Sequence, residues 1–165
     1  MSVTVRTAEP EDLEQVGRLT GEAYLVDGLI AEDDDYLGEL TDAGRRAEHA
    51  TVLVAVEPIG EGDRVLGTIT VASPGTAYAE IAGADELELR MLAVRPDARG
   101  RGVGELLMRA AIERAVGWGA HRVVLSTMPA MATAQRIYDR LGLVRAPQRD
   151  WHADGHSMHV YVLQP

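Results

Sequence analysis

Around its hundredth residue the chain reads Val94-Arg95-Pro96-Asp97-Ala98-Arg99-Gly100-Arg101-Gly102-Val103-Gly104-Glu105-Leu106-Leu107. An apolar strand pattern ends at Val94, a loop dense in Gly and Arg follows, and a helix pattern begins at once. This order turns the unpaired N–H groups of a helix N-terminus out of a loop whose glycines let a ligand approach the backbone. The arginines add positive charge. A strand, an anion-ready loop and a helix in direct succession constrain the fold to one that mixes sheet and helix.

The surrounding charge sharpens this picture. The chain has 165 residues and a net charge of −10, which argues against nucleic acid as its main partner. Residues 90–109 nevertheless hold Arg90, Arg95, Arg99, Arg101 and Arg109 against only Asp97 and Glu105, a basic island on the suspected anion loop. All 16 basic residues are Arg, so every cation is a planar fork and no lysine can act as nucleophile or phosphate clamp. There is no Cys, which excludes disulfides and thiolate metal sites. The longest apolar runs, such as Val52 to Val56, are too short to span a bilayer, and residues 1–6 carry no charged-then-apolar signal segment. The expectation is a soluble cytoplasmic protein with one domain over residues 1–165 and no membrane partner.

Apolar spacing gives the elements. Val3 to Arg6 reads as a strand, and Glu9-Pro10-Glu11-Asp12 as a helix start followed by a stripe of Leu13, Val16, Leu19 and Ala23. Glu32 to Asp35 is a solvated acidic loop or helix start, followed by a short helix through Leu37, Leu40 and Ala43. Thr51 to Glu57 and Val65 to Ala72 form a hairpin, and Ser73 to Gly83 is a loop. In Glu86 to Val94 the even positions pass from Glu86, Glu88 and Arg90 to Leu92 and Val94. One face thus changes from wet to dry, which a bulge near Met91–Ala93 would explain, as would a pocket opening beside the strand. Val103 to Trp118 is a helix with Leu106, Leu107, Ala111 and Trp118 on its apolar stripe. Val123 to Leu125 is a strand, Pro129 to Leu141 a helix stopped by Gly142, Pro147 to Gly155 a loop, and His159 to Leu163 a last strand. The fold class is α/β (α+β) with a mixed sheet.

A Walker A loop needs Lys and is excluded. A dinucleotide fingerprint fails because Glu105 stands where the third glycine must pack. The pattern Arg99-x-x-Gly102-x-Gly104, with Val94-x-Pro96 before it, resembles the acetyl-CoA loop of the GNAT superfamily of N-acetyltransferases. Leu89-x-x-Leu92-Ala93-Val94 resembles that family's bulged fourth strand, and Ala134-x-x-Ile137-Tyr138-x-x-x-Gly142-Leu143 its downstream helix. The resemblance runs from about Val3 to the C-terminus. It implies a mostly antiparallel central sheet splayed between strands 4 and 5, flanked by about four helices, with acetyl-CoA as cosubstrate.

The resemblance also assigns roles. Leu92, Ala93 and Val94 line the pantetheine, with the Leu92 N–H facing the thioester oxygen. Arg99, Gly100, Arg101, Gly102, Val103, Gly104 and Glu105 hold the pyrophosphate. Tyr138 protonates the CoA thiolate, the competing reading being a plain core tyrosine. Glu88, six residues before Val94, matches a general-base glutamate, or is a solvated strand carboxylate beside Arg90. Met131 stands where family members often carry Asn. Tyr24, Tyr36, Glu88 and Trp151 fall in segments that line the acceptor side. His152, His156 and His159 cluster without a ligand set of metal spacing, so no metal is expected. The implied reaction is acetyl transfer to a primary amine of a small molecule or peptide by direct attack in a ternary complex. The alternative is an acyl-CoA-binding module with little or no turnover. A homodimer is expected from family habit alone.

Overall fold

A computed structural model describes residues 2–153 and 155–165 of the chain. Strand β1 (Thr4–Thr7) leads through a 3-10 turn at Pro10–Asp12 into helix α1 (Leu13–Val26). The turn is fixed by a capping box in which Asp12 Oδ2 accepts the Glu9 N–H at 2.7 Å while also holding Arg6 at 2.6 Å. Two short helices, α2 (Tyr36–Thr41) and α3 (Ala43–His49), stand where the sequence predicts one. Asp42 interrupts the run and caps α3 by accepting the Arg45 N–H at 3.1 Å. Strands β2 (Thr51–Ile59) and β3 (Gly62–Ala72) form the expected hairpin, and β4 (Glu86–Val94) follows the Ser73–Gly83 loop.

Helix α4 (Val103–Gly117), strand β5 (Arg122–Thr127) and helix α5 (Ala132–Arg140) come next. Gly142, at φ +85°, stops α5 as the Leu143 N–H reaches back to the Tyr138 carbonyl at 3.0 Å. The chain closes with β6 (Val144–Arg145), β7 (Trp151–Ala153) and β8 (His156–Leu163). Strand β7 lies inside the segment read from the sequence as a loop. Its Trp-His-Ala composition carries little strand signal, and pairing with β8 makes it extended.

The sheet runs β1-β2-β3-β4-β5-β8-β6, with β7 paired to β8. Every pairing is antiparallel except β4 with β5. Alternation along β2 assigns its two faces: Leu53 and Ala55 pack under α4 and α5, while Val52, Val54 and Val56 pack under α1 and α3. Five α-helices, rather than about four, thus cover the sheet among the described residues. The buried stripe of α4 is Gly104, Leu107, Met108, Ala111 and Ala115. Leu106 and Trp118, read as part of it, are 38% and 48% exposed. Close approach of the helix to β3 selects the face carrying the two small residues and Gly104 instead.

Gly67 makes that approach feasible. It pairs with Val94, and a Cβ there would lie 2.9 Å from the Ala93 carbonyl oxygen and 3.0 Å from both Leu107 and Val103. Two of those neighbours are the α4 side chains just behind the glycine-rich loop. Gly67→Ala should destabilise the fold by about 1–3 kcal/mol through overpacking, read as a lowered midpoint in urea at unchanged m-value.

Candidate active site

The site begins with a fault in β4. Thr68 pairs with Ala93 and Thr70 with Arg90, so Met91 and Leu92 together oppose Ile69. Met91 takes φ +55°, the one positive value at a non-glycine among the described residues. This is the bulge that the switch of pattern along β4 suggests. Pairing with β5 ends at Leu89 opposite Leu125, two residues before Met91. Beyond that point the two strands part.

A cavity of about 470 Å³ lies against the bulged end of β4. One wall is Leu92, Ala93 and Val94 of β4, and another is a face of α5 that runs from Ala132 to Arg140. At its end stand Arg99, Gly100, Gly102, Val103, Gly104 and Glu105. Gly102 caps α4 at φ +75° with no side-chain cap, so the first N–H groups of the helix have no acceptor within it. With the helix dipole behind them they form an anion seat.

The arginines of the loop behave differently from one another. Arg99 lines the cavity, and its fork grips Asp27 at the end of α1 at 2.7 and 3.0 Å. Arg101 turns away to Glu57 on β2 at 2.9 Å and does not line the cavity. The Arg101 side chain, expected from the sequence to add a phosphate contact, is held outside the cavity as the counter-ion of the largely buried Glu57 carboxylate. Two cations missed in the sequence stand on α5 instead. Arg140 reaches Glu105 at 2.9 Å, and Arg136 donates to Thr133 Oγ1 at 3.2 Å. Both line the cavity, and Arg136 makes no ion pair among the described residues. Their i,i+4 spacing beside Ile137 was the available signal.

A second chamber, of about 390 Å³, adjoins the first. Tyr24, Tyr36, Glu88 and Trp151, the four candidate acceptor residues, all line it. Tyr24 and Met131 line both cavities and form the waist between them. Of the acidic run, only Asp34 lines the chamber, and its Oδ1 accepts the Tyr36 N–H at 2.9 Å to start α2. Buried Arg46 donates to the Glu39 and Leu40 carbonyls at 3.1 and 3.0 Å, holding α2 in place. Trp151 is fixed by its indole N–H on Ser126 Oγ at 2.9 Å. His152 and His156 reach the chamber but His159 does not; among the described residues no group of three or more potential ligands could hold a metal.

The wet even-numbered face predicted for β4 is in fact closed over. Glu86 is 4% and Glu88 1% exposed, because the Ser73–Gly83 loop folds back and supplies their partners. Glu88 Oε1 accepts the N–H groups of Glu80, Ile81 and Ala82 at 2.8, 2.8 and 3.1 Å. Burial lifts its pKa above the usual 4.5, and the three N–H groups offset part of that rise. Glu86 is clamped by Arg149 and Arg122 at 2.8 Å each and by the Gly83 N–H. Tyr138 lines neither cavity: it is buried in the main core with its ring 5.5 Å from that of Tyr161.

The profile of the "Acetyltransferase (GNAT) family" matches residues 13–143. The chain belongs to the GNAT acetyltransferase family. Among relatives, the mycothiol acetyltransferase of Mycobacterium avium is 30% identical over 132 residues. That match covers 80% of this chain and 38% of the relative, so the chain spans little more than a third of that protein's length. The GNAT fold recurs in yncA of Salmonella typhimurium, solved with its cofactor acetyl-CoA, at TM-score 0.70 and 22% identity over 99% of this chain and 94% of that one. A GNAT family acetyltransferase from Brucella melitensis in complex with acetyl-CoA superposes at TM-score 0.64 and 25% identity, covering 99% and 88%.

Two outcomes follow from this GNAT site. Arginine salt bridges to Glu86 hold its pKa down at about 2 against 4.5. A depressed carboxylate stabilises the fold fully above its unfolded value, and that stabilisation is lost as pH falls from 4.5 toward 2. Glu86→Gln should flatten the acid limb of the stability curve and lower stability at neutral pH. In CoA titrations, Arg136→Ala should raise Kd about three- to tenfold while Arg101→Ala changes it by less than about twofold.

Proposed function

We propose that this chain transfers the acetyl group of acetyl-CoA to a primary amine of a small molecule or peptide held in the second chamber. The observation that carries the reading is the waist at Tyr24 and Met131, where a cleft with an anion seat opens beside the β4 bulge into a chamber holding a buried carboxylate. The donor presents a thioester carbonyl to the amine. The N–H groups at the start of α4 hold its pyrophosphate, helped by Arg99 and Arg136, and Leu92 to Val94 supply the backbone edge for its pantetheine. The Leu92 N–H donates to the carbonyl oxygen as charge develops there.

Glu88 takes the proton that the ammonium must lose before attack, directly or through water. Its raised pKa brings it closer to that task than an ordinary carboxylate. The resemblance gives protonation of the departing thiolate to Tyr138, and that role is part of the proposal. Burial raises the Tyr138 pKa, so the phenol stays protonated at neutral pH. The chain has no Cys, so no thioester acyl-enzyme can form on it, and the reading takes direct attack in a ternary complex.

One observation favours the second reading, an acyl-CoA-binding module without turnover: Tyr138 lines neither cavity. Release of thiol from acetyl-CoA across a panel of amines separates the two. The enzyme reading expects amine-dependent release, reduced about a hundredfold in kcat by Glu88→Gln and by Tyr138→Phe with CoA affinity kept. Tight CoA binding with no release on any amine would establish the binding module.

A further inference from the structure

The lining of the acceptor chamber is unusual for this chain. Four of its six methionines, Met91, Met128, Met131 and Met158, meet there, brought from β4, from either side of the β5–α5 connection and from β8. Trp151 and Ile30 extend the same wall. Thioethers are unbranched and polarisable, and they mould to irregular apolar groups and to the edges of aromatic rings. A chamber meant only for a hydrated amine has no use for such a wall.

The polar side of the chamber is acidic. Among the described residues Glu39, Glu80, Glu88 and Asp34 line it with one arginine, Arg90, and two histidines, His152 and His156. An arginine in an acceptor site could signal a substrate carboxylate, since its fork matches one well. Here the fork already has two protein partners. One Arg90 terminal nitrogen donates to the Tyr78 carbonyl at 2.9 Å and the other to the Tyr36 hydroxyl at 3.2 Å. Glu80 lies 3.8 Å away, and the charges of Glu88, Glu80 and Glu39 all act on the guanidinium. A ligand carboxylate would have to share Arg90 with these partners and enter a field of more negative than positive groups. A cationic amine meets the opposite: carboxylates to receive its charge and an apolar wall for its body.

We propose that the acceptor is an alkyl- or arylalkylamine, an amine with an apolar body and no carboxylate, and that the chamber rejects the corresponding amino acids. The amine end sits toward Glu88 and the waist at Tyr24, and the body packs on the methionine–Trp151 wall. This rests on the acetyl-transfer reading and narrows its substrate class.

The test compares matched pairs in the same thiol-release assay with the full chain: tryptamine against tryptophan, and phenethylamine against phenylalanine. 1,4-Diaminobutane and a short peptide starting with methionine are added as probes. The decarboxylated amine should exceed its amino acid by at least about tenfold in kcat/KM. The Glu39→Gln/Glu80→Gln variant should shrink that ratio while leaving the Kd for acetyl-CoA unchanged. Amino acids acetylated as well as their amines, or a ratio untouched by the double variant, overturn the exclusion of carboxylates. A higher kcat/KM for 1,4-diaminobutane or for the peptide than for either arylalkylamine overturns the apolar body. Silence with every probe, amino acids included, overturns the acetyl-transfer reading itself and this inference with it, whereas activity confined to amino acids overturns this inference alone.

Discussion

The parting of β4 from β5 depends on a single residue held in an unfavourable backbone conformation. Met91 sits at positive φ, a state that costs an L-residue of order 1–3 kcal/mol and persists only where the surroundings enforce it. The surroundings here are the β3 ladder, which resumes register on both sides of the bulge, and a buried pocket of Tyr24, Ile30, Leu40 and Tyr78 that receives the Met91 side chain. With the bulge in place, β4 cannot continue its parallel pairing past Leu89. The free edge of Leu92 to Val94 becomes the wall of a cleft, and the same turn of the strand aims the chain into the glycine loop and α4. Both cavities owe their position to this fault.

A second constraint holds the second chamber together. Loops over a sheet are costly to bury unless their backbone groups find partners. The Ser73–Gly83 loop finds them in two carboxylates of β4: Glu88 gathers three consecutive N–H groups, and Glu86 takes the Gly83 N–H while binding Arg122 and Arg149. Arg149 in turn holds the Ile81 carbonyl at 3.0 Å and stands just before β7 and Trp151. The roof of the chamber and the hairpin bearing its aromatic wall are thus tied to one strand. Glu88 therefore combines two duties, organising a loop and presenting a carboxylate to the chamber, and the first explains why it is almost wholly buried.

What the sequence revealed was local. The glycine loop, the amphipathic run after it and the break in alternation along β4 are written within about thirty residues, and each was legible from spacing. The four acceptor candidates could be named, and they share one chamber. Direction and partnership were not legible. Arg101 and Arg99 look alike in the chain, yet one faces Glu57, 44 residues away, and the other lines the cleft. The alternation Glu86–Glu88–Arg90 implied water, because nothing local shows that a distant loop closes over it. Trp118 and Leu106 fit the helical period of α4 but lie just off the face that Gly67 and Gly104 allow to approach. The four methionines were invisible as a group because they lie on separate elements and only the fold collects them.

The proposed transfer requires donor and acceptor to occupy adjoining cavities together and to react directly across the waist at Tyr24 and Met131. Initial-velocity kinetics, with acetyl-CoA and an accepted amine varied against each other, address this most directly. Direct transfer predicts intersecting double-reciprocal lines and no acetylated protein by mass spectrometry after incubation with acetyl-CoA alone. Parallel lines with a trapped acetyl-enzyme would contradict it.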